Sequence, residues 1–422
     1  MKSKRFLIMF LTIVLLISTY TVAFGQGIGN GSTQGQGNKE GHKKQFKLGI
    51  EMLLEEQFDV IEGKNVGLIT NPTGVDRSLN SIVDLLHNDD RVNLTALYGP
   101  EHGVRGDAQA GAYVPFYIDE VTNLPVYSLY GQTRKPTPEM LEDVDVLLFD
   151  IQDVGTRFYT YIYTMAYAME AAQENDIEFV VLDRPNPLGG LDVEGPVLDP
   201  NYSSFVGLYP IPLRHGMTVG ELALYFNEEF EIGADLTVVE MKRWNRSFKY
   251  DDLPLEWVLP SPNMPTLETA LVYPGAALIE GTTNVSEGRG TTKPFELVGA
   301  PFINSTELAA EMNAIGLDGV IFRAASFTPT FSKNANTLSH GVQIHVTDPD
   351  NFNSVEMGLH LVKTIHDLYP EDIIFRSFFD NLIGNGEVRQ QILDGYSVAQ
   401  IMAEWEDDLE EFKTKRENYL LY

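Results

Sequence analysis

An acid and an imidazole stand side by side in Gly99-Pro100-Glu101-His102-Gly103, directly after the apolar run 94–98. Such a run reads as a strand, and in alternating α/β proteins the loops at the carboxyl ends of strands line the binding crevice. Pro and Gly on both sides fix the direction of Glu101, which makes it the leading acid–base candidate; His102 either assists it or holds the backbone. Three more polar loops follow apolar runs: 70–74 with Asn71, 150–157 with Asp150, Asp153 and Arg157, and 183–187 with Asp183 and Arg184. Acids at such positions suit proton transfer, while Arg105, Arg157 and Arg184 are forks for a planar anion. Each loop alone would pass for a capped turn; four in succession argue for one site.

A fifth cluster, 280–291, places Glu280, Asn284, Glu287 and Arg289 in a glycine-rich segment whose carboxylates, amide and hydroxyls suit hydrogen bonding to sugar hydroxyls. Tyr159, Tyr161, Tyr163, Phe205, Tyr209, Trp257 and Tyr273 are candidate platforms for sugar faces, though a core role is open to each. Arg214-His215-Gly216 precedes a helical pattern and so could sit at its amino end, where an anion can dock.

The elements that position these loops are short apolar runs alternating with helical patterns. Strands are expected at 65–70, 94–98, 125–129, 145–150, 178–183 and 235–240, with helices at 79–87, 138–142, 159–175 and 219–230. That order predicts an α/β fold: a parallel, Rossmann-like sheet with helices on both faces. The stretch 251–301 is rich in Pro and Gly without clear period, and reads as a long cleft-lining passage. Helices at 305–315, 351–368 and 397–416 and strands at 318–323 and 341–346 then predict a smaller α/β auxiliary domain. The chain divides accordingly into a catalytic domain at 46–260 and the remainder at 261–422.

Residues 1–25 read as a signal peptide: Lys2, Lys4 and Arg5, an apolar run, then Ala23-Phe24-Gly25. An uncleaved anchor is the alternative, but the run is short for a span, and no later segment approaches one. The leader 26–45 is glycine-rich and polar, a composition that cannot offset ordering entropy. Secretion into the extracellular space follows, with no membrane association after cleavage. Cysteine is absent, which removes disulfides and thiolate metal sites. A formal charge of -30 opposes nucleic acid and anionic lipid as partners.

No G-x-G-x-x-G follows the first strand, and neither a P-loop, a G-x-S-x-G elbow nor H-E-x-x-H occurs. The eight histidines lack metal-site spacing, so the expectation is carboxylate chemistry with neither metal nor cofactor.

Six segments resemble one family over nearly the whole chain beyond the leader: GLITNPTG (67–74), YGPEHGVRG (98–106), FDIQDVGTRFYTY (149–161), LDRPNPLGG (182–190), EGP (194–196) and EGTTNVSEGRGTTKPFE (280–296). They are similar to the secreted exo-β-N-acetylmuramidases of the NamZ type. The resemblance implies a Rossmann-like domain without nucleotide, an auxiliary domain, and an active site in the cleft between them. It implies an exo-acting hydrolase that releases terminal β-1,4-linked N-acetylmuramic acid from peptidoglycan fragments, with Glu101 as catalytic glutamate. Asp153, Glu280, Glu287 and Glu194 are candidates for the second carboxylate, and the acetamido group is an alternative nucleophile. Carboxyl groups about 5–5.5 Å apart would predict retention and about 6.5–9.5 Å inversion. The lactyl carboxylate of such a sugar calls for a cleft arginine, Arg105, Arg157 or Arg289. A non-catalytic wall-sugar-binding protein and a wall amidase or esterase are the rival readings.

Overall fold

The computed structural model describes residues 45–106, 108, 111 and 114–422. The expected signal peptide and all but the last residue of the leader lie outside the described residues.

Helix α1 (Gly49–Glu56) leads into strand β1 (Asn65–Thr70), helix α2 (Ile82–His87) into β2 (Asn93–Gly99), and β3 (Tyr117–Ile118) turns back beside β4 (Pro125–Ser128). Then come β5 (Val146–Asp150), α3 (Tyr161–Glu174), β6 (Glu178–Leu182), a hairpin of β7 (Glu194–Val197) and β8 (Pro212–Arg214), α4 (Val219–Glu229) and β9 (Leu236–Val239). The large sheet runs β3-β4-β2-β1-β5-β6-β9, parallel throughout except for the β3–β4 pair at its edge. Its six parallel strands, taken in chain order, lie 3-2-1-4-5-6, the order of a dinucleotide-binding Rossmann sheet.

Alternation along the strands divides the core. Ile69, Leu147, Phe149, Phe179 and Val181 pack beneath α3 and α4, while Val66, Leu68, Val146, Leu148, Val180 and Leu182 pack beneath α1 and α2. With both faces covered, β5 is buried at every residue.

The rest of the chain contains α5 (Leu267–Ala276), β10 (Leu297–Ala300), α6 (Ser305–Ile315), β11 (Val320–Phe327), β12 (Ser339–Val346) and α7 (Ser354–Leu368). Four short helices close it: α8 (Phe378–Ile383), α9 (Glu387–Leu393), α10 (Val398–Ala403) and α11 (Glu406–Arg416). The three strands form an antiparallel sheet, β10-β12-β11. One apolar cluster runs from the α3–α4 face into this second unit. Buried Arg416 reinforces the join by donating to the carbonyl of Gly216 at 2.8 Å.

Three expectations need correction. The helix expected at 79–87 begins at Ile82, because Leu79 has φ +63° and Ser81 is extended. Residues 267–276 form α5 rather than a periodless passage: the helix is buried on nearly every side and has Pro274 inside it, so no polar face marks its period. The closing helix of 397–416 is two helices broken at Glu404 and Trp405, and α8 and α9 were not expected at all.

Candidate active site

The loop after β2 is a tight turn, with the Gly103 amide donating to the Pro100 carbonyl at 2.9 Å. Position three of the turn has φ +74°, a conformation that favours glycine, yet His102 occupies it. At Gly99 a Cβ would come within 2.9 Å of the Val104 amide nitrogen, so the turn folds tightly back on the strand end. His102 is buried, and its Nδ1 donates to the Ala108 carbonyl at 2.8 Å. A carbonyl only accepts, so Nδ1 carries the hydrogen and Nε2 of the neutral ring is the acceptor. Glu101 is half-buried and accepts from the Gly111 amide at 2.9 Å. It also hydrogen-bonds Tyr130, whose hydroxyl is pushed up to about 12 by burial and then by the Glu101 charge.

Glu101 and His102 line a pocket of about 210 Å³. Tyr130, Tyr159, Tyr161 and Phe205 contribute from the Rossmann side, and Tyr273, Glu280, Arg289 and Phe378 from the second unit. Of the aromatic candidates, Tyr159, Tyr161, Phe205 and Tyr273 therefore reach the pocket; Tyr163, Tyr209 and Trp257 do not. Tyr159 and Tyr273 meet edge to face at 5.8 Å between centroids. Burial foremost raises both hydroxyls, and the charges of Glu101 and Asp153 add to it.

Glu280 is ion-paired through Arg289 Nη2 at 2.7 Å. Arg289 Nε lies 3.5 Å from Glu287, which is buried behind it and meets Lys333 Nζ at 3.0 Å. Lys333 comes from the loop between β11 and β12 and also donates to the Ile279 carbonyl, so one half-buried cation joins that loop to the segment carrying Glu280. Burial lowers the Lys333 ammonium despite these carboxylates.

The remaining candidates stand elsewhere. Asp153 is buried outside the pocket lining; its Oδ2 accepts from the Gly155 amide at 2.6 Å and from His215 Nε2 at 3.3 Å, while Oδ1 has no partner among the described residues. Arg105 is held by both oxygens of Asp119, away from the pocket. Arg157 is fully buried and donates to the carbonyls of Pro196, Ile211 and Leu382 at 2.8–3.0 Å; burial lowers it to about 10. Arg184 forks onto Asp150, whose carboxyl is raised by its burial. Asp183 caps α4, accepting from Thr218 and from the Gly220 amide at 2.8 Å. Asn71 accepts from Thr73, Asn284 ties its loop to Asp372 and Ile374, and Glu194 is absorbed by Arg214 and the Val355 amide. Thus Asn71, Arg105, Asp153, Arg157, Asp183, Arg184, Asn284 and Glu287 do not line this pocket; four strand-end loops share one sheet edge, but only 99–106 and the end of 150–161 reach it.

Tyr130 and Lys333 escaped the sequence. Tyr130 had a signal, since β4 is parallel to β2 and the loop after it leaves the same edge. Lys333 had none: it reaches Glu287 across 46 residues of chain, a contact no local pattern encodes. Among the described residues, no group of three or more acids and histidines is arranged to hold a metal ion, and no helix is long and apolar enough to cross a membrane.

Comparison with known proteins matches the chain to two family models in succession. Residues 66–268 fit the N-terminal domain of exo-β-N-acetylmuramidase NamZ, and 271–422 its C-terminal domain. The peptidoglycan β-N-acetylmuramidase NamZ of Bacillus subtilis (strain 168) is 59% identical over 99% of this chain and 100% of its own. Two crystal structures of DUF1343 family proteins from Bacteroides fragilis NCTC 9343 superpose with TM-scores of 0.83 and 0.73, at 43% and 35% identity. Each covers 89% of this chain and 99% of its own. The matched domains meet at the pocket that holds Glu101 from one and Glu280 from the other, and by both halves the chain belongs to the NamZ exo-β-N-acetylmuramidase family.

Proposed function

We propose that this chain is an exo-acting glycoside hydrolase that releases non-reducing terminal β-1,4-linked N-acetylmuramic acid from peptidoglycan fragments during wall turnover. One observation carries the reading: two carboxylates, Glu101 and Glu280, line a single aromatic-walled pocket from different domains. Two acids with aromatic surfaces for a sugar ring are what glycosidic cleavage requires. The pocket is also smaller than the roughly 300–1,000 Å³ usual for drug-sized ligands, which suits one terminal sugar rather than a threaded chain.

Protonated Glu101 gives its proton to the glycosidic oxygen as the C1–O bond breaks, and the departing N-acetylglucosamine keeps it. Glu280, oriented by Arg289, stabilises the positive charge that develops at C1. Water then adds to C1, and its proton passes to a carboxylate. Tyr130 holds Glu101 by a hydrogen bond, and His102 ties down Ala108, three residues from the Gly111 amide that also donates to Glu101. The name of the 59%-identical B. subtilis protein supports the substrate class, and the positively charged, then apolar, start of the chain supports export.

Incubation with the disaccharide N-acetylmuramic acid β-1,4-N-acetylglucosamine should yield both free sugars. Glu101→Gln should lower kcat by about 10²–10⁴-fold, the usual contribution of a positioned acid. An intact disaccharide after incubation with the wild-type protein would overturn the reading; undiminished cleavage by the variant would remove Glu101 from its role. The anomeric configuration of the first-formed sugar, read by NMR, distinguishes direct displacement by water from a two-step route.

A further inference from the structure

Two arginines at the pocket have no part in the reaction above. The Arg134 guanidinium lies 4.1 Å from the ring centre of Phe205, and that of Arg376 lies 5.2 Å from the ring centre of Phe378. Both rings line the pocket, Phe205 from the Rossmann domain and Phe378 from the second. Both arginines are exposed, and among the described residues neither is paired with a carboxylate; Arg376 donates to the Glu280 backbone carbonyl at 2.9 Å.

Against a net charge of -30, every described lysine lies within 4.0 Å of a carboxylate. Among the described residues Arg157, Arg243, Arg323 and Arg416 also lack one, but none of these stacks on a pocket ring: Arg157 and Arg416 are buried on backbone carbonyls. Stacking occupies the face of a guanidinium and leaves its in-plane N–H donors directed outward, the geometry that receives a carboxylate. The other expected anion readers are committed elsewhere: Arg105 to Asp119, Arg157 to backbone carbonyls, and Arg289 to Glu280 and Glu287.

We propose that Arg134 and Arg376 are specificity residues, each seated over a pocket phenylalanine, that bind a carboxylate carried by the substrate. The proposal rests on the muramidase reading, whose sugar bears such a group. The carboxylate belongs either to the lactyl ether of the sugar or to an acidic peptide attached there.

The test uses the whole protein and its Arg134→Gln, Arg376→Gln and double variants, after their melting temperatures are checked against wild type. Three substrates are compared: the free-acid disaccharide, the same disaccharide with its lactyl group as the neutral amide, and one with an acidic dipeptide on that group. The double variant should raise KM by about tenfold or more on a carboxylate-bearing substrate, the loss expected for a charge-assisted hydrogen bond, with kcat nearly unchanged and no effect on the amide. A loss on the free acid assigns the contact to the lactyl group, and a loss confined to the dipeptide substrate assigns it to the peptide; both uphold the proposal. Equal losses on all three substrates, or none on any, overturn it while the glycosidase reading stands. If wild type cleaves none of the three, that reading falls and the specificity falls with it.

Discussion

His102 is held in a left-handed backbone conformation that costs a non-glycine residue roughly 1–2 kcal/mol. Gly103 beside it has φ +75° at no such cost. Strain of this kind persists where the side chain is needed, and His102 is buried against the pocket with one ring nitrogen committed to Ala108. His102→Gly should lower kcat at least tenfold, while the relieved strain offsets part of the stability lost with the buried, hydrogen-bonded ring; full turnover would show that the imidazole serves neither the chemistry nor the placing of Glu101. The pairing of Glu101 with His102 was legible from sequence because neighbours in a turn need no fold to bring them together. Arg105, Arg157 and Arg184 stand away from the pocket for the opposite reason. Their spacing resembles a set of anion forks, but their partners, Asp119, the Leu382 carbonyl and Asp150, come from other segments.

At the scale of elements, α5 delivers Glu280. It runs directly into the 3₁₀ turn 277–281, and its position is set by contact with α7. A Cβ at Gly275 would fall 1.8 Å from the Ser354 carbonyl oxygen, and one at Gly358 would fall 2.3 Å from that of Gly275, so the two helices touch backbone to backbone. Gly358→Ala should force them apart, lowering stability by about 1–3 kcal/mol, the range for overpacking, and displacing Glu280. Chemical denaturation gives the first effect and kcat on the disaccharide the second. The parallel strands were readable because short apolar runs bounded by turn residues leave little else to build. α5 was not, because a helix buried nearly all round loses the polar face that reveals its period. The Rossmann order implied a crevice between β1 and β5, where a nucleotide would sit in such a fold. Here the strand ends bind each other instead: Thr70 to the Asp150 carbonyl, Thr73 to the Gln152 amide, Arg184 to Asp150. The pocket consequently lies farther out, over β2.

Across the whole molecule, the two domains share a core and a set of buried polar ties. Asp183 takes hydrogen bonds from Thr218 and Gly220 and, at 2.8 Å, from the hydroxyl of Tyr422. Burial foremost, with the Glu221 charge, raises its carboxyl to about 7. The native state thus keeps a proton that the unfolded chain releases near pH 4. The resulting stabilisation is complete below that pH and is lost as pH rises to about 7, roughly 4 kcal/mol in all at about 1.4 kcal/mol per unit. Asp183→Asn should flatten this part of the stability profile, as read from denaturation midpoints between pH 4 and 7. Arg157 has a consequence of another kind. Its guanidinium is sealed among the carbonyls of Pro196, Ile211 and Leu382 and spans both domains, with no carboxylate partner among the described residues. Swinging the domains apart would break that seat, so the buried guanidinium opposes any opening of the mouth wide enough for a polymer to slide through. Each severed sugar must back out the way it came, and the shortened chain must be caught afresh. The protein would then nibble distributively, shortening many strands by one unit each rather than consuming one strand to its end.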